Sequence, residues 1–127
     1  MIVAVDFDGT IVHHAYPELG APVSGAIEGL KELQALGVRL ILWTMRSGAE
    51  LDEAIAYLRG NGIELWGVNA NPEQSKWTGS PKAYAAYYVD DAAIGCPLVF
   101  SGSSRPWVDW ERVMRSLRKL CKPETIP

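Results

Sequence analysis

The sequence predicts an α/β protein built on a mostly parallel sheet. Short apolar, β-branched runs alternate along the chain with segments of helical period, the pattern of strand–helix–strand units. Three of those runs end in residues suited to chemistry, and parallel strands present their carboxyl ends to one ligand-binding edge.

The first strand is predicted at Ile2 to Asp6, where Ile2-Val3-Ala4-Val5 reads as a buried run. It runs out into Asp6-Phe7-Asp8-Gly9-Thr10, and Gly9 allows the chain to swing away with positive φ. Residues Ile11 to Val23 are irregular, with Pro17, Gly20 and Pro22, and form a flap over the end of this strand. Ser24 is the expected N-cap of a helix that puts Ile27, Leu30 and Leu33 on one side and stops at Gly37.

Val38 to Trp43 is the second predicted strand and delivers Thr44 at its end. Ser47-Gly48-Ala49-Glu50 has the spacing of a capping box. The helix it opens carries Leu51, Ala54, Ile55 and Leu58 and ends at Gly60-Asn61-Gly62. Ile63 to Val68 is a third strand, and Asn69 to Lys82 a long polar connection, of a length that is usually functional or mobile. Ala85 to Val89 is a fourth strand ending in Asp90-Asp91, and Leu98 to Phe100 a fifth. A last helix from about Asp109 to Lys119 turns Trp110, Val113, Met114, Leu117 and Leu120 to the core.

Size and composition exclude several classes. At 127 residues, with no linker or repeat, residues 1–127 are expected to be a single domain with its own core. An apolar content of 48% excludes a disordered chain. A net charge of −3 offers no overall attraction to nucleic acid or an acidic membrane, and no apolar run reaches spanning length. The chain enters a strand at its first residues, leaving no room for a secretory leader, and Cys96 and Cys121 have no metal-type spacing. A cytoplasmic protein with two reduced thiols is expected.

The strand ends should bring distant residues together. Asp6, Asp90 and Asp91 offer hard oxygen ligands that suit Mg²⁺, which binds through a few carboxylates plus substrate phosphate. Thr44 offers a hydroxyl donor and Lys82 a positive charge to phosphoryl oxygens, with Lys76 a competing candidate for that charge. An ionised Asp6 can attack phosphorus. Asp8 can protonate the leaving oxygen and then deprotonate water. Taken singly, Thr44 reads as a strand residue, Lys82 as a surface lysine and Asp90-Asp91 as a solvated turn; their order and placement together carry the signal.

This set resembles the haloacid dehalogenase-like hydrolases. The resemblance rests on DFDGT after a strand, a threonine ending the second strand, a lysine, and DD ending the fourth, and it spans residues 2 to 91. The tail from Pro97 to Leu117, with Pro106-Trp107-Val108-Asp109-Trp110, is similar to a small phosphatase-like subgroup of bacteria and phage. The resemblance implies a Rossmann-like three-layer sandwich with the first strand central, in a mostly parallel five-stranded sheet. It implies a Mg²⁺-dependent phosphohydrolase in which Asp6 becomes a covalent aspartyl-phosphate and Asp8 is the acid/base. Thr44 and Lys82 would hold the phosphoryl group. Asp6, Asp8 (through its carbonyl), Asp90 and Asp91 would form the metal site.

Neither the Asp8–Thr44 gap nor the Thr44–Lys82 gap has room for a cap domain, so a capless member is expected. Its substrate, a phosphorylated compound of unnamed class, would then be selected by the flap, by Arg46 and by the Asn69 to Gly79 loop, or by a neighbouring subunit acting as a lid. Arg46 is either a bidentate grip on the substrate or a surface arginine. His13 and His14 are either solvated or in contact with substrate. Trp77 is a stacking surface or part of a local cluster. The basic set Arg112, Arg115, Arg118, Lys119 and Lys122 reads as a solvated helix face rather than a nucleic-acid site. Two rival classes remain at this stage, a receiver-like phosphoacceptor and a non-catalytic phosphate-binding module. Receivers place their acidic pair first and their lysine last, the reverse of the order here.

Overall fold

The computed structural model describes residues 1–121. Its main sheet is formed by β1 (Ile2–Val5), β2 (Arg39–Leu42), β3 (Gly67–Val68) and β4 (Tyr87–Val89), all parallel, in the order β3-β2-β1-β4. Two helices connect these strands, α1 (Ala26–Ala35) and α2 (Gly48–Gly60). A third, α3 (Trp110–Leu120), closes the described chain. As expected, the first strand is interior.

Alternation along the strands separates two faces. Val3 and Val5, Leu40 and Leu42, and Val89 join Leu30, Leu33, Ala54, Leu58, Val113, Met114 and Leu117 in one buried cluster, which therefore takes in all three helices. Right-handed crossovers explain this: β1→β2→β3 advances in one direction, so α1 and α2 fall on the same side. The return from β3 to β4 would place a helix on the other side. That connection instead carries one 3₁₀ turn (Gln74–Lys76). Among the described residues, the second face carries a small cluster of Ala4, Ile41 and Ala85, flanked by Ile2, Trp43 and Trp66.

Several expectations need correction. The main sheet has four strands, not five. β5 (Leu98–Val99) pairs antiparallel with β6 (Trp107–Val108) in a separate two-stranded sheet. Residues 90–97 are too few for a parallel crossover, which takes about a dozen residues or more. The cap of α1 is Gly25, at φ 81°, rather than Ser24. Ser47 does cap α2 in extended geometry but makes no side-chain hydrogen bond, so the capping box does not form. Leu120 is exposed, lying at the last turn beyond the reach of the core. Among the described residues no cap domain interrupts the chain, and no helix is long and apolar enough to cross a membrane. Lys122 lies outside the described residues.

The antiparallel pair and α3 fasten the loop after β1. Val108 N donates to Gly9 O at 3.0 Å, and Trp110 Nε1 donates to Thr10 O at 2.6 Å. Asp109 caps α3 by accepting from Arg112 N at 3.3 Å.

Candidate active site

The loop after β1 is a tight knot around one carbonyl. Phe7 O accepts from the amides of Thr10, Ile11 and Val12, and Gly9 N donates to Val12 O. Phe7 is fully buried, against Tyr57, so strand alternation turns Asp6 and Asp8 the other way, toward the carboxyl edge. Asp6 N donates to Val89 O at 2.9 Å, which sets β1 and β4 in register and places Asp6 beside Asp90 and Asp91.

Asp6, Asp90 and Asp91 each offer a carboxylate oxygen within 4.8 Å of the others. Thr10, fully buried, ties the group together. Its Oγ1 lies 3.0 Å from Asp6 Oδ2 and 3.5 Å from Asp91 Oδ1, and it accepts from Asp91 N at 3.2 Å. His14 Nε2 lies 2.9 Å from Asp91 Oδ2, so His14 is neither solvated nor free, while His13 packs edge-on to Trp107. The crowding has an electrostatic consequence. Burial, then the hydrogen bond to Asp91, then the charge of Asp90 push the Asp6 carboxyl up to about 8, against the pull of Thr10 and of the Phe7 backbone.

Gly9 makes this packing possible. Its φ is 81°, and a Cβ there would collide with His14 Nε2 and Asp91 Oδ2. Gly9→Ala is expected to lower stability by roughly 1–3 kcal/mol. Adding His14→Ala should recover part of the loss, as measured by urea unfolding of both variants. Equal stability of Gly9→Ala and the parent would contradict the contact.

Thr44 stands where β2 ends. Its amide donates to Asn69 Oδ1 at 2.7 Å and its hydroxyl accepts from Arg46 N at 3.1 Å. Two hollows open here. One of about 430 Å³ is lined by all four acids with His14, Tyr16, Thr44 and Arg105 among others. The other, of about 300 Å³, is lined by Asp6, Trp43, Thr44, Met45, Asn69 and Asp90. A larger hollow of about 450 Å³ between α1 and α3 contains none of the predicted site residues.

Of the two further predicted substrate-binding residues, Arg46 lines the larger hollow at the acids with its donors already engaged, and Lys82 stands elsewhere. Arg46 is 2% exposed and its guanidinium is spent on the protein. Nε and Nη2 bond both oxygens of Asp8 at 2.8 Å each, and the guanidinium carbon lies over the Phe7 and Tyr16 rings, 5.0 and 5.3 Å from their centres. Lys82 lines neither hollow at the acids. Its Nζ lies 5.4 Å from the Tyr88 ring centre, beside a separate hollow of about 370 Å³ that includes Trp77 and Tyr84. The cause is buried Gln74, which donates to the carbonyls of Ser80 and Lys82 and accepts from Tyr84 N, pinning this segment in place. Lys76 is exposed in the 3₁₀ turn and lines neither hollow at the acids either. Trp77 is exposed and pairs locally with Tyr84. Two basic α3 side chains are paired on the surface, Arg115 with Glu111 and Arg118 with Glu32.

Thr10 and Arg105 join the site without having been expected there, and Asn69 was expected only as the first residue of the selecting loop. Thr10 lay inside the motif, and a buried hydroxyl there demands a partner. Asn69, with φ 53°, begins the long connection in a conformation that asparagine tolerates. Arg105 left no signal.

The fold and site define a small α/β protein with a carboxylate cluster at the carboxyl edge of a parallel sheet. No protein-family model matches the chain, and no curated protein does. A solved structure, of a conserved protein coded by a locus from Bacteroides thetaiotaomicron, is 39% identical over 94% of this chain and 91% of that one, with a TM-score of 0.78. The chain belongs to the same family as that conserved protein, whose description names no activity.

Proposed function

We propose that the chain is a Mg²⁺-dependent phosphohydrolase acting through a covalent aspartyl-phosphate on Asp6, in the manner of a capless haloacid dehalogenase-like hydrolase. On this reading the scaffold is a reduced Rossmann-like three-layer sandwich, with residues 69–86 standing in for the second outer layer. The observation that carries it is the convergence of Asp6, Asp90 and Asp91 from the ends of β1 and β4. The donor set fits the ion: three hard anionic oxygens crowd closely enough to hold a proton on Asp6 that a divalent cation would displace. Asp6, Asp90, Asp91 and the Asp8 carbonyl would hold it. When bound it supplies neutralisation of charge on the phosphoryl oxygens.

The chain's own residues do the rest. Asp6 attacks phosphorus, the bond to the leaving oxygen breaks, and that oxygen takes a proton from Asp8. Asp8 then takes a proton from water, whose oxygen attacks phosphorus, and the Asp6–phosphorus bond breaks to release phosphate. Thr44 binds a phosphoryl oxygen from the side of β2. Lys82 joins it by leaving the Tyr88 ring, while Arg105 already faces the hollow.

The test is cation-dependent phosphate release over a broad panel of phosphate esters. Release is expected for at least one ester and is lost with EDTA. A long-lived phosphoaspartate without release would make the chain a phosphoacceptor, and silence across the panel would end the reading. Lys82→Ala is expected to cost at least about tenfold in kcat/KM, the worth of a charge-assisted hydrogen bond. A loss under about twofold would hand that role to Arg105, and Arg105→Ala would then measure it.

A further inference from the structure

Arg46 is the most fully engaged polar side chain at the site, and its partners come from three separate segments. Nε and Nη2 clamp both Asp8 oxygens, Nη2 also donates to Glu18 O at 2.7 Å, and Nη1 reaches Pro17 O and Glu50 O at 3.4 Å each. Its side chain is 1% exposed and that of Asp8 19%. Asp8 cannot rotate without breaking two charge-assisted bonds, and the flap cannot lift at residues 17–18 without breaking its own. Lysine cannot take over this geometry, because one ammonium cannot present a planar fork.

We infer that Arg46 is a positioning residue: it holds the acid/base carboxylate of Asp8 in one orientation and makes that orientation depend on the docked flap. The inference rests on the phosphohydrolase reading for its catalytic consequence, though not for the latch itself. General-acid help matters most when the departing group is a poor one. Misplacing Asp8 therefore penalises alkyl esters more than aryl esters. A role in stability alone would lower both equally.

The experiment compares the parent, Asp8→Asn, Arg46→Lys and the double variant on glycerol 3-phosphate and p-nitrophenyl phosphate. Arg46→Lys is expected to lose on the order of 10–100-fold more kcat/KM on the alkyl ester than on the aryl one. The double variant should be no worse than Asp8→Asn, because Arg46 acts through Asp8; it also lacks the orphaned carboxylate that could unfold the single variant. Hydrogen exchange supplies a readout without turnover: the flap amides of His13 and Val23, which donate to Ala21 O and Ile11 O, should exchange at least about tenfold faster in Arg46→Lys. A folded Arg46→Lys with the parent's alkyl/aryl ratio, or with equal losses on both esters, overturns the inference. So does unchanged flap exchange. If the parent hydrolyses no ester of the broad panel while Arg46→Lys frees the flap, the hydrolase reading falls and the latch stands.

Discussion

Asp6→Asn is expected to abolish phosphate release, by at least on the order of 10⁴, while leaving the chain folded. An amide oxygen is not a nucleophile toward phosphorus, and no other described residue stands at the same point between Asp90, Asp91 and Thr10. The same substitution should change how stability responds to pH. In the parent without a divalent cation, the native Asp6 carboxyl sits at about 8, against an ordinary 3.8. The native state therefore binds this proton more tightly than the unfolded state does. Asp6's contribution to stability is intact below about pH 4, falls as pH rises from there to about 8, and is level above. Melting temperatures in EDTA should accordingly decline for the parent between pH 5 and pH 8.5, and decline less for Asp6→Asn. Added Mg²⁺ should raise the parent's melting temperature more at pH 8 than it raises the variant's. Near-normal turnover in Asp6→Asn would remove the nucleophile, and an identical pH slope would remove the crowded-carboxylate account.

Trp110→Ala is expected to cost about 3–5 kcal/mol, much of the total stability of a domain this size. Trp110 is 1% exposed and packs closely on the start of α1, where a Cβ at Gly29 would collide with its ring and one at Gly25 would press on its Cβ. Removing it opens a cavity between α1 and α3 and orphans the Thr10 carbonyl, which Nε1 holds at 2.6 Å. Trp110→Phe separates these effects. It keeps most of the volume, loses the donor, and should cost roughly 1–3 kcal/mol. Because Thr10 also bonds Asp6 and Asp91, the phenylalanine variant should reduce turnover as well as stability. Urea unfolding and steady-state rates check both. A Trp110→Ala loss below about 1 kcal/mol would contradict the packing.

What could be read from the chain follows from how local each signal is. Val3, Val5, Leu40, Leu42 and Val89 announce strands through neighbours one or two residues away, so the strand ends at Asp6, Thr44 and Asp90 were readable. The amphipathic spacing of Leu30, Leu33, Leu58, Val113 and Leu117 marks three helices in the same way. Pairing between distant segments was not readable. Leu98 and Val99 have the composition of a strand, but loop length sent them to Trp107 and Val108 rather than to β4. Arg46 could have been free to grip a substrate; Asp8, 38 residues away, the flap carbonyls and Glu50 O claimed its donors first. Lys82 was turned aside by Gln74, whose burial no periodicity foretells. His14 found Asp91 because Gly9 leaves room for its ring.

The order of strands and helices, and the gathering of acids at one edge, were thus already written in the residue pattern, since alternation and helical period are properties of adjacent side chains. Which basic group meets which acid, which face of the sheet the helices cover, and how tightly Asp6, Asp90 and Asp91 crowd came only with the folded chain. Those outcomes depend on competition among partners far apart in sequence, and a buried donor or charge goes to whichever partner the packing brings within reach.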